Sequence, residues 1–300
     1  MAWKFEPVAG PCKGPTYGVA WDGGGVLFSA SGESSILRYD PAAGVVTEFR
    51  RYMAGVKGLG FDREGNFYGC QASSRRIVRF NRDGSTAPME HKLDGKFHNH
   101  PYALACDAQG RIWFSDPIDP APTRGPQLFG PLPHQSVLRL EKRTDGRWQI
   151  KRMTYDTRCP GAILISRDQQ TLYVAENGAD KQELRAYPIQ PDGSLGAFVV
   201  LHSFGSDYRG AHRGIGGMCE DAEGNIVACA GSNKSGPGPM IYIFARSGRV
   251  LETHPTPFDE PLMCAFGDAG LDALYVTSQG GHLYRARATA RQGALLYPPR

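Results

Sequence analysis

Four side chains that could transfer protons or act as nucleophiles stand just ahead of apolar, strand-like runs. They are Lys57, His98, His100 and Tyr102. A lysine in a partly desolvated site can serve as a base, an oxyanion partner or a Schiff-base nucleophile, and histidine titrates in the range that suits general acid–base catalysis. Residues two apart share a face of an extended segment, which would turn His98 and His100 toward one site. We therefore predict Lys57, His100 and Tyr102 as catalytic residues and His98 as a substrate contact.

A second group of side chains, in equivalent places, suits binding rather than chemistry. The group consists of Tyr17, His212, Arg213 and Met263. Arginine can bind a carboxylate or a phosphate, and a phenol could polarise a carbonyl or fill apolar space. This mixture predicts an organic substrate with an apolar or aromatic portion, which could also carry an anionic group. A structural role, such as a surface arginine or a hydrogen-bonding histidine, is the alternative for each residue.

A histidine zinc site is a further alternative. His98, His100 and His212 could converge and leave an open position, as catalytic zinc sites do, although their spacing matches no recognised motif. The seven cysteines are spread along the chain without a C-x-x-C pair, which favours reduced, mostly buried thiols over a disulfide framework. The sequence also lacks a G-x-S-x-G elbow, a P-loop and a Rossmann fingerprint.

The elements that must position these residues are six copies of one two-strand pattern. Each copy is an apolar run, a polar turn that reads D-x-x-G in most copies, and a second apolar run, which is typical of a β-hairpin. The copies span residues 18–30, 58–70, 103–115, 163–175, 217–229 and 264–278. Third strands are expected within residues 35–41, 76–84, 136–146, 183–193, 241–248 and 282–288.

Six such units, about 40 to 60 residues apart, predict an all-β fold, a six-bladed β-propeller that forms one domain over residues 1–300. A propeller closes on itself and leaves no long sheet edge open. The strand-like residues 3–8 should therefore complete the last blade as its outer strand. Residues 116–135 are rich in Pro and Gly, and we expect a long loop over one face of the disc, with a lid as one option.

The composition argues against several classes of partner. The net charge is only +4 and the basic residues are scattered, which disfavours nucleic acid. No segment has the length and apolarity of a membrane span, and residues 1–15 lack the apolar core of a signal peptide. We predict a cytoplasmic protein whose partner is a small-molecule substrate, and the oligomeric state stays open.

Several segments carry a resemblance to a known family. They are GKFHNHPYALACDAQGRIWFSDP (residues 95–117), MCEDAEGN (218–225), IYIFARSGRVLE (241–252), and PLMCAFG with ALYVTSQGGHLYRAR (261–287). Together with the blade pattern, they make the chain similar to the senescence marker protein/gluconolactonase (regucalcin-like) family. The resemblance implies a central channel with one divalent cation at its mouth and, in many members, hydrolysis of sugar lactones.

The chain departs from that family at the four positions where relatives hold the cation. Tyr17 stands in Y-G-V-A-W-D, where relatives carry a glutamate in E-G-P-x-W-D, and Tyr102 stands where they carry an asparagine. Gly161 and Gly216 replace an asparagine and an aspartate. A hard cation needs several oxygen ligands, usually including carboxylates. We therefore predict no family-type metal and no cofactor.

These observations predict a small-molecule enzyme, a hydrolase of a lactone or another cyclic carbonyl compound that acts without the family metal. Lys57, a tyrosine hydroxyl or His100 would then stabilise the oxyanion, and a histidine would activate water. The alternatives are a metal-free lyase, isomerase or condensing enzyme, resembling the strictosidine-synthase propellers, and a non-catalytic binder of a small ligand. Asp116 and Glu176, at the ends of second strands, are expected to shape turns.

Overall fold

Over residues 3–119 and 129–295, which the computed structural model describes, the chain forms six antiparallel sheets of four strands. Strand β1 covers Phe5–Ala9. Blade 1 follows, with β2 (Thr16–Trp21), β3 (Val26–Ala30), β4 (Ser35–Asp40) and β5 (Val45–Arg50). Blade 2 contains β6 (Val56–Phe61), β7 (Phe67–Gln71), β8 (Arg76–Phe80) and β9 (Thr86–Pro88).

The short hairpin of β10 (Lys92–Leu93) and β11 (Lys96–Phe97) leads into the next two blades. Blade 3 contains β12 (Leu104–Cys106), β13 (Ile112–Asp116), β14 (Ser136–Lys142) and β15 (Trp148–Arg152). Blade 4 contains β16 (Pro160–Ile165), β17 (Thr171–Gly178), β18 (Lys181–Pro188) and β19 (Val199–Phe204).

A second short hairpin, β20 (Ser206–Asp207) and β21 (Gly210–Ala211), precedes blade 5. Blade 5 contains β22 (Ile215–Glu220), β23 (Ile226–Ser232), β24 (Ser235–Phe244) and β25 (Val250–Pro255). Blade 6 contains β26 (Pro261–Gly267), β27 (Ala273–Ser278) and β28 (Leu283–Ala286), and β1 completes it. The helices in the described ranges are the single 3₁₀ turns Ser31–Glu33 and Ala72–Ser74.

The polar centre of the repeat forms the turn between the first and second strands of a blade. In blade 2, Asp62 Oδ1 accepts hydrogen bonds from two backbone N–H groups of the turn, at 2.9 Å each. Asp107 and Asp221 do the same in blades 3 and 5. Gly65, with φ of 79°, supplies the left-handed residue that such a turn needs. The D-x-x-G pattern is therefore the local signal that fixes where the hairpin reverses in the blades that carry it.

The two ends of the chain meet in blade 6. Strand β1 pairs antiparallel with β28, with Phe5 opposite Ala286, and Arg285 Nη2 lies 2.6 Å from Glu6 Oε1 across that pairing. The first strands of neighbouring blades contact one another around a central axis, and the ring closes between β26 and β2. This confirms the six-bladed β-propeller and the predicted place of the N-terminal strand.

Apolar side chains fill the six interfaces between neighbouring blades. Each interface has its own cluster, and the largest fully buried side chains include Trp113, Phe28 and Phe244. Burying one large apolar side chain contributes about 1.5–3 kcal/mol. The blades are thus held mainly by face-to-face packing, which leaves the first strands free to line a channel. No helix in residues 3–119 or 129–295 has the length and apolarity to span a membrane.

The loop expected over residues 116–135 connects β13 to β14, and its middle part, 120–128, lies outside the described residues. Its far end is held by Arg75, which donates hydrogen bonds to the carbonyl oxygens of Phe129 at 2.7 Å and Gly130 at 3.0 Å. Its near end, residues 117–119, reaches the channel.

Candidate functional site

A cavity of about 210 Å³ lies at the end of the channel where the first strands of the blades begin, and we call it the upper cavity. Four predicted site residues line it: Lys57, His100, Tyr102 and Arg213. Pockets for drug-sized ligands have volumes of roughly 300–1,000 Å³. The upper cavity therefore suits a molecule of small size.

A β-bulge at the start of the first strand positions the cavity residues in most blades. The pairing of first and second strands shifts register within residues 17–19, 56–59, 160–163, 215–217 and 261–264. A bulge leaves a residue unpaired and changes the direction of its side chain. Lys57, Gly161 and Gly216 fall inside these shifts and face the upper cavity.

Lys57 and Asp119 form an ion pair in the wall of the upper cavity. Lys57 Nζ lies 2.9 Å from Asp119 Oδ2, and the two side chains are 18% and 26% exposed. The same ammonium lies 5.4 Å from the ring centre of Tyr17 and 5.3 Å from that of Tyr102, within the range of cation–π attraction. These contacts stabilise a charged lysine, which favours an oxyanion partner over a Schiff-base nucleophile.

His100 offers a hydrogen-bond donor to the cavity. Its Nδ1 accepts a hydrogen bond from the backbone N–H of Asp119 at 3.0 Å, so the neutral ring carries its proton on Nε2. Burial lowers the pKa of His100 from its ordinary value, which keeps the imidazole neutral at neutral pH. In this tautomer Nε2–H donates, and Nδ1 is already occupied. The ring is therefore better suited to stabilise an oxyanion than to take a proton from water.

Tyr102 crosses the channel at the base of the upper cavity. Its hydroxyl, which comes from the segment before blade 3, donates a hydrogen bond to the carbonyl of Gly216 in blade 5 at 3.2 Å. The ring of Tyr17 meets it edge to face at 6.2 Å, and burial raises the pKa of the Tyr102 phenol. Below lies a cavity of about 70 Å³ that Met263 lines. Neither Tyr17 nor Met263 lines the upper cavity, which differs from the substrate contacts expected of both: Tyr17 packs on Tyr102, and Met263 lines the smaller cavity below. Tyr102 stays a protonated donor.

Arg213 lies at the start of blade 5. Its Nη1 donates a hydrogen bond to the carbonyl of Pro261 at 3.2 Å, and its Nε lies 3.6 Å from Glu260 Oε2. A methyl group built on Gly216 would lie 3.3 Å from Arg213 Nη2, so this nitrogen lies close to Gly216 in the wall of the cavity. Arg213 can therefore hold an anionic group of a bound molecule while Glu260 and Pro261 fix its guanidinium.

Asp116 and Glu176 hold the backbone that leads into the site. Asp116 Oδ2 accepts a hydrogen bond from the backbone N–H of Asn99 at 2.6 Å. Glu176 accepts one from the backbone N–H of Arg158 at 2.9 Å and one from that of Cys159 at 2.7 Å. Each carboxylate thus orders the segment just before a cavity residue, which agrees with the structural role expected for both.

The structure separates His98 from His100, which corrects the expectation that both face the channel. His98 is fully buried, with its ring 5.3 Å from that of Phe114 and its Nδ1 3.5 Å from Asp116 Oδ1. The physical reason is Asn99, whose side chain makes three hydrogen bonds to backbone groups of the 116–135 loop. These bonds pull the segment off a regular extended path, so the two rings diverge.

His212 also lies away from the upper cavity, contrary to its predicted contact with substrate. Its ring stacks on Phe204 at 4.5 Å, and its Nδ1 accepts a hydrogen bond from the backbone N–H of Gly214 at 2.9 Å. In the part of the chain that the structure describes, no three His, Cys, Asp or Glu side chains are grouped to hold a metal ion. The structure therefore does not bring His98, His100 and His212 together as a zinc site.

The comparison with protein families shows to which family of propellers the chain belongs. The family described as "SMP-30/Gluconolactonase/LRE-like region" matches residues 15–280. The chain belongs to this family. The resemblance found in the sequence is therefore confirmed.

Two of the similar proteins are lactonases by name. A 6-deoxy-6-sulfogluconolactonase from Pseudomonas putida is 26% identical over 172 residues, 57% of this chain and 51% of that protein. Regucalcin from Xenopus laevis is 31% identical over 115 residues, 38% of this chain and 35% of that protein. A gluconolactonase structure from Xanthomonas campestris superposes with a TM-score of 0.78 at 25% identity, covering 95% of this chain and 89% of the other. The matches span about half and about a third of the two curated relatives.

The residues of this chain do not fit the cation that the SMP-30/gluconolactonase family binds. The four corresponding positions carry Tyr17, Tyr102, Gly161 and Gly216, which offer no carboxylate or amide oxygen. Other groups occupy the vacated space. A methyl group built on Gly161 would lie 2.5 Å from Asn177 Nδ2, which donates to the Ile215 carbonyl. The side chain of Asn177 therefore fills that side of the cavity.

Asp119 and Asn177, whose side chains are polar, are among the cavity residues that the sequence did not reveal. Asp119 follows in the motif S-D-P-I-D-P, three residues after Asp116, and Asn177 follows Glu176 at the end of β17. The available signal for Asp119 was an acidic residue between prolines in a long loop, a setting in which functional side chains are common. Nothing in the local sequence pairs it with Lys57, from which it is 62 residues distant.

Proposed function

We propose that this protein hydrolyses a small lactone or a related cyclic ester without the divalent cation of its family. The observation that carries the proposal is that Lys57, His100 and Asp119 line one small cavity. Lys57 Nζ and His100 Nε2–H can each donate a hydrogen bond to a substrate, and the Asp119 carboxylate can accept a proton, which is the combination that ester hydrolysis requires. The lactonases among its relatives support the substrate class.

The donors would act on the carbonyl oxygen of the bound lactone. Lys57 Nζ and His100 Nε2 would donate hydrogen bonds to this oxygen, where negative charge develops as the tetrahedral intermediate forms. A fixed ammonium is well suited to this task because it is already oriented by Asp119 before the substrate arrives. The two donors thus take over the polarising task that a cation performs in other hydrolases.

Asp119 would act as the general base. Its carboxylate takes a proton from a water molecule as the water oxygen attacks the carbonyl carbon. Collapse of the intermediate breaks the ring C–O bond, and the leaving alkoxide receives the proton back from Asp119. The product is the open-chain hydroxy acid. The sequence predicted that a histidine activates water. We assign this role to a carboxylate instead, because Nδ1 of His100 already accepts a hydrogen bond from a backbone N–H.

Arg213 would select substrates that carry an anionic substituent. Its Nη2 lies above Gly216 while Nη1 and Nε are fixed by Pro261 and Glu260. A guanidinium held in this way matches a carboxylate, phosphate or sulfonate. The relative that acts on a sulfonated lactone, by its name, supports this preference.

The test combines metal analysis with a lactone panel. The protein is purified without added metal, its metal content is measured by elemental mass spectrometry, and hydrolysis of neutral and anionic sugar lactones is followed with and without a chelator. We expect turnover that the chelator does not change. Stoichiometric metal with chelator-sensitive activity would overturn the metal-independent mechanism. Ring opening without uptake of water, seen by NMR of the product, would favour a lyase or isomerase, and saturable binding without turnover would favour a binding protein.

A further inference from the structure

A second cavity, of about 200 Å³, lies at the opposite end of the channel, and we call it the lower cavity. Its wall is mainly apolar and includes Trp21, Leu104 and Leu295. The residues of the wall also include Glu220, Cys106, Cys219 and Cys264. The proposed hydrolysis uses none of these groups.

Two of the thiols are in contact. Cys219 Sγ lies 3.6 Å from Cys264 Sγ, whereas the S–S bond of a disulfide is about 2.0 Å long. Cys219 belongs to β22 of blade 5 and Cys264 to β26 of blade 6. These strands approach so closely that a methyl group built on Gly217 would lie 2.6 Å from the Cα of Met263. The propeller thus brings together two thiols that are 45 residues apart in the chain.

Cys264 differs from the other thiols in its electrostatics. Hydrogen bonds from the Cys219 thiol and then from the Cys229 thiol lower the pKa of Cys264, although burial opposes the effect. The hydrogen bond with Cys264 raises the pKa of Cys219, and burial together with a hydrogen bond to Cys264 raises the pKa of Cys229. Burial raises the pKa of Cys70 and Cys106. Because the thiolate is the reactive form, Cys264 is the thiol in this cavity best prepared to react.

We propose that Cys219 and Cys264 form a redox site that a small hydroperoxide oxidises to a disulfide between blades 5 and 6. The Cys264 sulfur attacks one peroxide oxygen, the O–O bond breaks, and the other oxygen leaves as water or an alcohol after taking a proton. The Cys219 sulfur then attacks the resulting sulfenic sulfur, and its proton leaves with the hydroxyl group as water. In sum, two thiols lose two electrons and two protons, and one hydroperoxide is reduced.

The lower cavity explains why a hydroperoxide suits this role better than a bulky disulfide. Both cysteines are among the residues that line the cavity, and Cys219 is half-buried while Cys264 is buried. A molecule of two or a few heavy atoms can enter a space of about 200 Å³. The cross-link would join two first strands at the channel wall, far from the upper cavity in which lactone hydrolysis is proposed, so the two proposals fail independently.

The experiment is peptide mapping after oxidation of the folded protein. Reduced protein is treated with hydrogen peroxide in steps, quenched with catalase, denatured and alkylated, and then digested. Trypsin alone would leave Cys219 and Cys229 on one peptide, residues 214–234. A second cleavage after Glu220 and Glu223 separates them. We expect a cross-linked pair of peptides that contains Cys219 and Cys264, lighter by two hydrogens and reversed by dithiothreitol.

The variants Cys219→Ser and Cys264→Ser should lose this cross-link, and Cys12→Ser, which removes a distant half-buried thiol, should keep it. The oxidised wild-type protein should also unfold at a higher temperature than the reduced protein, because the bond closes a loop in the unfolded chain. Sulfinic acid without a cross-link, a bond between Cys229 and Cys264, or oxidation that begins only when the protein unfolds would each overturn the proposal. These outcomes are readable on the wild-type protein even where a serine variant fails to fold.

Discussion

Replacing Lys57 with methionine tests the proposed oxyanion donor and keeps the length of the side chain. Removing one preorganised donor of this kind lowers kcat by about 10²- to 10³-fold, or roughly 2.7–4 kcal/mol of transition-state stabilisation. Lys57 is 18% exposed and is held 2.9 Å from Asp119, so its geometry is fixed before substrate binds. We expect the loss in kcat to fall within that range.

The effect on stability should be much smaller, which makes the two effects separable. A partly exposed ion pair contributes about 0.2–1 kcal/mol, and about 1 kcal/mol shifts the unfolding midpoint of a chain somewhat shorter than this one by roughly 2–4 °C. Steady-state kinetics on the preferred lactone and thermal unfolding measure the two quantities. Lys234→Met is the matched control, because it removes a lysine 80% exposed and 3.3 Å from Glu260, outside the cavity.

The reasoning fails if Lys57→Met keeps the wild-type kcat, or if Lys234→Met loses as much activity. Asp119→Asn extends the same test to the proposed base. The amide is isosteric but cannot take a proton, so kcat should fall by about 10²- to 10⁴-fold. If Asp119→Asn keeps full activity while Lys57→Met loses most of its activity, Lys57 remains the oxyanion donor and another residue must be the base.

Arg213→Met should raise KM for lactones with a carboxylate, phosphate or sulfonate by about 10- to 100-fold, because a hydrogen bond to a charged group contributes about 1.5–3 kcal/mol, and it should leave KM for neutral lactones unchanged. Gly217→Ala should lower the free energy of unfolding in urea by about 1–3 kcal/mol, because its methyl group would lie 2.5 Å from the Leu262 carbonyl oxygen, whereas Gly205→Ala, with nothing within 4 Å, should not. Lowering the pH below 6.5, the ordinary histidine pKa, should lower the unfolding midpoint, because burial lowers the pKa of several histidines in the fold and the unfolded chain takes up protons first. These residues are His100, His134, His202, His212 and His254. A midpoint that stays flat from about pH 7 to about pH 5 would contradict this linkage.

The inner parts of the fold were predictable from the sequence, and the outer strands were not. The first three strands of each blade have buried faces and recurring turn signals such as Asp62 with Gly65, so their pattern repeats visibly. The fourth strands, for example Val45–Arg50 and Val199–Phe204, are largely exposed. Without a buried face, a strand loses the alternation by which it is recognised. Only β1, which closes the ring, was placed by a topological argument.

The candidate site was predictable only in part, for a different reason. The sequence placed Lys57, Tyr102 and His100 near one another because they lie at the start of first strands or just before them, and these strands all begin at the same end of the channel. His98 was misplaced because the hydrogen bonds of Asn99 to a distant loop change the path of the backbone. Asp119 was missed because its partnership with Lys57 depends on that loop reaching another blade. Contacts between distant loops are set by tertiary structure, and local periodicity carries no information about them.

The residues at the four positions that differ from the family's metal ligands depend on one another structurally. Tyr102 donates to the carbonyl of Gly216, so the ring from one position occupies space at another. An asparagine restored at position 161 would bring its Cβ to 2.5 Å from Asn177 Nδ2, which is itself bonded to the Ile215 carbonyl. An asparagine at position 161 would therefore approach Asn177 too closely, and the site would still lack the other oxygen ligands that a hard cation needs. A monovalent ammonium held by a carboxylate polarises a carbonyl less strongly than a divalent ion at the same distance. In the proposed mechanism, position would compensate for this weaker polarisation, because contacts between different blades hold Lys57 against Asp119 and Tyr102 against Gly216 before a substrate enters.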